Sequence, residues 1–107
     1  KGDVLIETER QFGKTVTLRF EFKPDAKCNN DLFLLGAKFD INKEDIKNLK
    51  QDEWNDLEIV AKEGKVAFTC NGQMVRTILA TTDRSTLAIR AEFGAMSIRK
   101  LRASAAK

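Results

Sequence analysis

The chain has 107 residues, of which 42% are hydrophobic, so it can build one modest core and is too apolar for a disordered segment. Its 19 Lys and Arg residues and 16 Asp and Glu residues are interspersed and leave a net charge of +3, a pattern typical of a solvated surface. The absence of His excludes Ser-His-Asp and Cys-His catalysis within the chain, and no apolar run approaches the length of a membrane span.

These totals predict a single domain over residues 1–107. Because the chain begins at Lys1 and not at Met, we expect it to be part of a longer protein. Its one local charge bias is the run Arg99, Lys100 and Arg102. We interpret this run as a solvated edge strand that resists edge-to-edge pairing, in preference to a phosphate-contacting patch, and predict no nucleic-acid partner.

The first quarter of the chain predicts two strands. The short apolar run Val4–Ile6 is the first. Residues 16–22 then alternate strictly between apolar and polar side chains, which is typical of a strand with one buried face. Pro24 should end this strand, because Pro lacks the N–H that a sheet ladder needs.

The next segment predicts two strands and one helix. Leu32–Leu35 is continuously apolar, which suits a strand covered on both sides or one that crosses between sheets. Gly36 indicates a bulge or a tight bend before the strand over 37–41. Over 42–49 we predict the one short helix, with Asn42 as its cap and apolar residues sharing a face.

The strongest pattern is a three-stranded meander over residues 54–78. Apolar and polar side chains alternate on both sides of the turn at Glu63-Gly64. Asn71-Gly72 then predicts a second tight turn of type I′, since this dipeptide tolerates positive φ at both central positions.

The C-terminal part predicts two more strands. Residues 87–93 alternate, Gly94-Ala95 should turn the chain, and the step from Ile98 to Leu101 breaks the alternation as a β-bulge would. Eight or nine short strands with one short helix predict an all-β domain of two packed antiparallel sheets.

Several short motifs resemble those of the 3-keto-disaccharide hydrolase domain family. The motifs are its W-N sequence, its E-I-x-A strand, its N-G turn, its terminal strand and its early F-G segment with the strand that follows. They stand here as Glu53–Asn55, Glu58–Ala61, Asn71-Gly72, Met96–Leu101, and Phe12-Gly13 with Leu18–Lys23. The family's N-terminal W-x-x-x-x-G stretch is missing.

The resemblance implies a concanavalin A-like jelly-roll β-sandwich, a bacterial and extracytoplasmic location, and hydrolysis of keto-sugar glycosides. The family's N-S-G segment and its following polar strand correspond to residues 29–31 and 38–41. Asn30 and Asp40 are therefore the positions that could play comparable roles.

Candidate ligand-binding residues also follow from strand parity. Glu21, Asp40 and Glu92 are predicted on outward-facing strand positions, where they could line a sugar site or serve only as solvated charges. Trp54, the only Trp, could stack on a sugar ring or anchor the meander to the core. With Asn30 these make the predicted site. No E-x-D-x-x-E spacing occurs, so we identify no catalytic residues.

Neither a metal nor a cofactor is predicted. The cluster Asn29-Asn30-Asp31 could hydrogen-bond to hydroxyls, but it supplies too few oxygens for Ca²⁺ by itself. Cys28 and Cys70 lack the spacing of a zinc site, and they could form a disulfide or remain two buried free thiols.

The sequence as a whole predicts a non-catalytic carbohydrate-binding or interaction module whose partner is a carbohydrate or a neighbouring domain. One alternative is a glycoside hydrolase acting on keto-sugars. The other is a structural accessory domain.

Overall fold

The fold is seen in a computed structural model of the chain, which describes residues 4–91 and 96–104. These residues form nine strands: β1 (Val4–Glu7), β2 (Val16–Pro24), β3 (Asn30–Leu34), β4 (Ala37–Ile41), β5 (Asn55–Lys62), β6 (Lys65–Cys70), β7 (Gln73–Leu79), β8 (Ala88–Ala91) and β9 (Met96–Ser104). No helix among the described residues is long and apolar enough to cross a membrane.

The strands build two sheets that share one core. One sheet has four strands in the order β1-β8-β3-β4, the other has five in the order β7-β6-β5-β2-β9, and every pairing is antiparallel. The rings of Phe39, on β4, and Phe68, on β6, stack with centroids 4.2 Å apart and so join the two layers. The prediction of an all-β protein with two antiparallel sheets is confirmed.

Alternation along the strands explains why the core lies between the sheets. On β2, each residue with the parity of Leu18 and Phe20 is buried, whereas Arg19 and Lys23 are exposed. The strands β5 and β6 follow the same rule. These three strands therefore bury their apolar faces and leave polar faces outside the sandwich.

The predicted meander is confirmed as β5, β6 and β7. Its turns at Glu63-Gly64 and Asn71-Gly72 have positive φ at both residues, as does Leu35-Gly36 between β3 and β4. Two central residues with positive φ define the type I′ turn, whose twist matches that of the flanking strands. The bend predicted at Gly36 is therefore a two-residue hairpin turn.

The predicted bulge is also confirmed. Arg102 pairs with Arg19 and Arg99 pairs with Glu21, so two residues of β9 lie opposite one residue of β2. Lys100 lies in the bulge with φ of 60°. The turn predicted at Gly94-Ala95 lies outside the described residues.

The helix predicted over 42–49 is wrong, because the segment forms turns. Asn42 does cap it, since its Oδ1 accepts from the Asp45 N–H at 2.7 Å, and the Ile46 N–H bonds to the Asn42 carbonyl. The Leu49 N–H then bonds to the Ile46 carbonyl three residues back, and Lys43 Nζ donates to the carbonyls of residues 47 and 49, so the segment closes as separate turns. So short a helix gains little from its backbone alone, and these side-chain bonds replace it.

The W-N and N-G motifs hold this turn segment against the meander. The buried Asn55 bonds through its side chain to both the N–H and the carbonyl of Lys50 at 2.8 Å. Asn71 donates to Asn55 Oδ1 at 2.9 Å and to the Asn48 carbonyl at 3.2 Å. In this chain the two motifs therefore have a structural role.

The cysteines are two buried free thiols, so of the two alternatives the disulfide is wrong. Burial, with the nearby carboxylates of Asp25 and Asp56 respectively, raises the pKa of Cys28 to about 11 and that of Cys70 to about 11. Both thiols are protonated at neutral pH.

Candidate functional site

The outer face of the four-stranded sheet carries a compact polar cluster. The tight Leu35-Gly36 turn fixes the register of β3 against β4, so that Asp31 lies opposite Asp40 and Phe33 opposite Lys38. On the other side of β3, Arg90 of β8 lies opposite Asp31. We call Asp31, Phe33, Lys38, Asp40 and Arg90 the β3–β4–β8 site.

A groove of about 430 Å³ lies beside this cluster. It is lined by the half-buried ring of Phe33, by Ala88 and Arg90, and by Glu7 and the Ser85-Thr86 segment. Its volume falls within the range of roughly 300–1,000 Å³ that is usual for small-molecule sites. The groove therefore combines an apolar floor with charged and hydroxyl groups at its margins.

Asp31 is the centre of the cluster. Its side chain is only 4% exposed although it lies on an outer face, because Arg90, Lys38 and Asp40 surround it. The Arg90 guanidinium donates to Asp31 Oδ2 from both Nε, at 3.1 Å, and Nη2. Lys38 Nζ lies 3.9 Å from the other carboxylate oxygen. A carboxylate that has lost its water is stable only with such partners, so Asp31 is fixed in place.

The pKa values of the two carboxyl groups of the site, Asp31 and Asp40, are shifted in opposite directions. Burial alone would raise the pKa of Asp31, but hydrogen bonds from Asp40 and Arg90 and the charge of Lys38 hold it below its ordinary value. The pKa of Asp40 is raised, chiefly by its hydrogen bond to Asp31 and then by burial. Asp31 is therefore the ionised member of the pair, and Asp40 retains its proton to higher pH.

The groups that a ligand can reach are the outer members of the cluster. The exposed fraction of the side chain is 54% for Lys38, 41% for Asp40 and 35% for Arg90. Lys38 and Arg90 donate hydrogen bonds, and Asp40 accepts or donates according to its protonation. The Arg90 Cζ lies 5.9 Å from the centroid of the Phe33 ring, which leaves an aromatic surface beside these polar groups. Such a site suits a ligand that has hydroxyl groups and an apolar face.

Two of the residues predicted from the sequence lie on the opposite face of the sandwich. Glu21 is on the outer face of the five-stranded sheet, and Trp54 lies just before β5. Arg99 connects them, with its Nε 2.6 Å from Glu21 Oε1 and its guanidinium 3.7 Å above the Trp54 ring. The hydrogen bond from Arg99 lowers the pKa of Glu21. The predicted residues therefore do not form one site.

The other three candidates have different outcomes. Asp40 lies in the β3–β4–β8 site as described. Asn30 is fully buried with its amide donating to Cys28 Sγ at 3.3 Å, so a ligand on the surface does not reach it. Glu92 lies outside the described residues.

Phe33, Lys38 and Arg90 were not predicted as ligand-binding residues, and Asp31 was considered only as part of the cluster 29–31. The signal that could have found them is the Leu35-Gly36 dipeptide. A two-residue turn there places the Asp-x-Phe of one strand directly across from the Lys-x-Asp of the next.

Across the two described stretches of chain, no three His, Cys, Asp or Glu side chains converge in a way that could hold a metal ion.

The fold is similar to those of several solved structures. A proposed glycosyl hydrolase from Parabacteroides distasonis ATCC 8503 has a TM-score of 0.77 at 14% identity, over 97% of this chain and 84% of that chain. The carbohydrate-binding module CBM66 from Bacillus subtilis has a TM-score of 0.73 at 8% identity, over 97% and 83%. The galectin LEC-6 from Caenorhabditis elegans has a TM-score of 0.64 at 15% identity, over 97% and 91%. These similarities establish a β-sandwich of the kind that those proteins share.

No protein-family model matches the sequence, and no curated protein matches it at a significant level. The 3-keto-disaccharide hydrolase resemblance is thus supported only at the level of the β-sandwich fold.

Proposed function

We propose that the chain is a non-catalytic carbohydrate-binding module and that it binds its ligand at the β3–β4–β8 site. The observation that carries the proposal is the buried Asp31 carboxylate, which Arg90 and Lys38 hold on a face that is otherwise open to solvent. A buried charge costs stability unless it is paired, so a cluster of this kind on a surface indicates a role in binding.

The chemistry of the site fits a neutral sugar. Vicinal hydroxyls can accept from Lys38 and Arg90 while they donate to Asp40. The C–H face of a pyranose or furanose ring can pack on Phe33. Asp31 acts by positioning Arg90, since its own oxygens already bond to protein groups.

Hydrolysis is not favoured at this site. A glycosidase needs two carboxyl groups about 5–5.5 Å apart for retention or about 6.5–9.5 Å apart for inversion. Asp31 is only 4% exposed behind Arg90 and Lys38, so it is not free to act as a nucleophile or base on a glycosidic bond, and Asp40 alone does not make the required pair. The proteins of similar fold include a proposed glycosyl hydrolase as well as a carbohydrate-binding module and a galectin, so the preference for binding over cleavage rests on the geometry of the site and not on the fold.

The finer predictions from the sequence keep their status as proposals. They are the concanavalin A-like jelly-roll class, one domain over residues 1–107, and an extracytoplasmic location. The similarity in fold to a Bacillus subtilis carbohydrate-binding module supports the β-sandwich on which the jelly-roll proposal rests.

The test is binding to a panel of neutral polysaccharides by affinity electrophoresis and calorimetry. Phe33→Ala and Arg90→Gln should each abolish the retardation that the wild type shows. Arg76→Gln is the matched control, because Arg76 pairs with Asp45 at 3.1 Å on another part of the surface and should bind as the wild type does.

Phe33→Leu keeps most of the apolar volume, so it separates loss of the ring from loss of folding, which circular dichroism monitors for every variant. Binding that survives both Phe33→Ala and Arg90→Gln would reject this site. Release of reducing sugar by the wild type would reject the non-catalytic assignment.

A further inference from the structure

The outer face of the five-stranded sheet brings two arginines together. Arg19 on β2 and Arg102 on β9 are direct cross-strand partners, and both are exposed. Like charges in directly opposed positions destabilise a sheet. The bulge at Lys100 produces this juxtaposition, since it shifts the register of β9 between Arg99 and Arg102.

Neighbouring carboxylates compensate only part of this charge. Glu58 accepts from Arg19 Nε at 3.1 Å and from Arg19 Nη2 at 2.8 Å. Glu21 is occupied by Arg99 at 2.6 Å and lies 3.9 Å from Lys100 Nζ. Within the described residues, Arg102 has no carboxylate at ion-pair distance. One guanidinium of the pair is therefore available to a ligand.

A groove of about 270 Å³ lies against this pair. Arg19 and Arg102 line it, and its other polar side chains are those of Asp56, Glu58 and Thr69. An anionic group fits the arginine side, and hydroxyl groups fit the carboxylate and Thr side, because carboxylates accept hydrogen bonds from hydroxyls. The groove thus has one place for an oxyanion and several for hydroxyls.

We propose that the Arg19–Arg102 pair is a second binding site, which takes the carboxylate or sulfate group of an acidic glycan. Arg102 holds the oxyanion and Arg19 contributes its remaining donors, so that the ligand relieves the repulsion between the two guanidinium groups. This site is on the opposite side of the sandwich from the β3–β4–β8 site, so it does not depend on the function proposed there.

An acidic glycan fits this face better than a single-stranded nucleic acid. Proteins that bind single strands stack bases on exposed aromatic rings. Trp54, beside this face, already has Arg99 over its ring at 3.7 Å, and Phe20 and Phe22 of β2 are buried. The described part of this face therefore presents charge without a platform for stacking.

The experiment measures the affinity for oligogalacturonate, a carboxylated probe, and for a heparin hexasaccharide, a sulfated one, with methyl-esterified oligogalacturonate as the neutral counterpart. Arg102→Gln should weaken binding of the acidic probes by about tenfold, the change expected for loss of one charge-assisted hydrogen bond. Arg76→Gln makes the same change in net charge elsewhere and should shift affinity by less than about twofold. The Arg102→Gln protein should also melt at a higher temperature, since the like-charge pair is gone.

Several results would overturn the proposal. These are failure of the wild type to bind either acidic probe, equal weakening by Arg76→Gln and Arg102→Gln, and tighter binding of a single-stranded RNA oligonucleotide with the same dependence on Arg102. Arg90→Gln tells the two sites apart. It should leave binding of the acidic probes unchanged even if no neutral glycan binds at the opposite face.

Discussion

Asp31 lies on the outer face of a sheet, where charged side chains are usually exposed to solvent, but its own side chain is buried. Its 4% exposure is possible only because Arg90 and Lys38 replace the lost water. A side chain held by several partners moves little, and it orients the groups to which it is bonded. We therefore attribute to Asp31 the orientation of Arg90 for a ligand, and expect its removal to affect both stability and binding.

Asp31→Asn should lower the free energy of unfolding by about 1.5–3 kcal/mol near neutral pH, the range for a hydrogen bond that involves charged groups. The folded-state pKa of Asp31 is depressed, so its contribution is present above the unfolded-state pKa and is lost as pH falls through the folded-state value. The difference between the wild type and the variant, followed by urea denaturation from pH 7 to pH 3, should shrink as the solution is acidified. A constant difference across this range would contradict the assignment of Asp31 as the ionised member.

Asp40→Asn should have the opposite effect and raise the free energy of unfolding near neutral pH. The folded-state pKa of Asp40 is raised, so its contribution to stability is present below the unfolded-state pKa and is lost as pH rises through the folded-state value. Because the side chain is 41% exposed and solvent screens it, the gain on substitution at pH 7 should be only about 0.5 kcal/mol. It should vanish near pH 3. A loss of stability at pH 7 would show that the contact of Lys38 with Asp40 outweighs the repulsion from Asp31.

At the scale of the elements, the β3–β4 hairpin determines which residues meet in the site. Its Leu35-Gly36 turn is held by the Leu35 carbonyl, which accepts from the N–H of Thr81 at 2.9 Å. A Cβ on Gly36 would lie 1.7 Å from Thr81 Oγ1, whereas a Cβ on Gly64, in the turn between β5 and β6, would have open space. Both glycines have a φ near +80°.

Gly36→Ala should therefore be about 1–3 kcal/mol more destabilising than Gly64→Ala, since overpacking adds to a backbone cost that the two share. Thermal denaturation of both variants measures the difference. Thr81→Ala combined with Gly36→Ala should recover part of it, because the nearest clashing atom is removed. Equal effects of the two glycine substitutions would mean that the Thr81 contact does not constrain the turn.

The elements also show what the sequence could predict. Period-2 alternation identified the meander and β2, and Asn71-Gly72 identified its turn, because these signals are local and depend on single residue types. The prediction of a helix over 42–49 was wrong because it depended on the i, i+3 spacing of Ile46 and Leu49. A turn with this spacing buries both side chains equally well.

The candidate site was harder to predict, since it depends on which strands are neighbours. Asp31 and Arg90 are 59 positions apart in the sequence and meet only because β8 lies beside β3. Strand parity placed Glu21 and Asp40 outward correctly, but parity does not tell which of the two outer faces a residue lies on.

At the scale of the whole molecule, the sandwich separates a sealed core from two chemically different outer faces. The stacked rings of Phe39 and Phe68 join the layers, and both cysteines lie in the same core cluster. The outer faces carry the β3–β4–β8 site on one side and the Arg19–Arg102 pair on the other. A rigid core of this kind keeps both sites in place without requiring either to move.

Because the core is closed to solvent, its two thiols should react slowly in the native protein. Cys28 and Cys70 are buried and their pKa values are each raised to about 11, so neither presents a thiolate at pH 8. Modification by a colourless disulfide reagent that releases a chromophore should be slow in the native protein and complete in denaturant. Fast native labelling of either thiol would show that the core opens locally.

An NMR titration with ¹⁵N-labelled protein tests the claim that a carbohydrate binds on the outer face of the four-stranded sheet. With the neutral oligosaccharide that binds best in the polysaccharide panel, the largest amide shifts should fall on 31–34, 37–41 and 88–90. Shifts centred on β2 and β5, or no shift with any sugar of the panel, would contradict the claim.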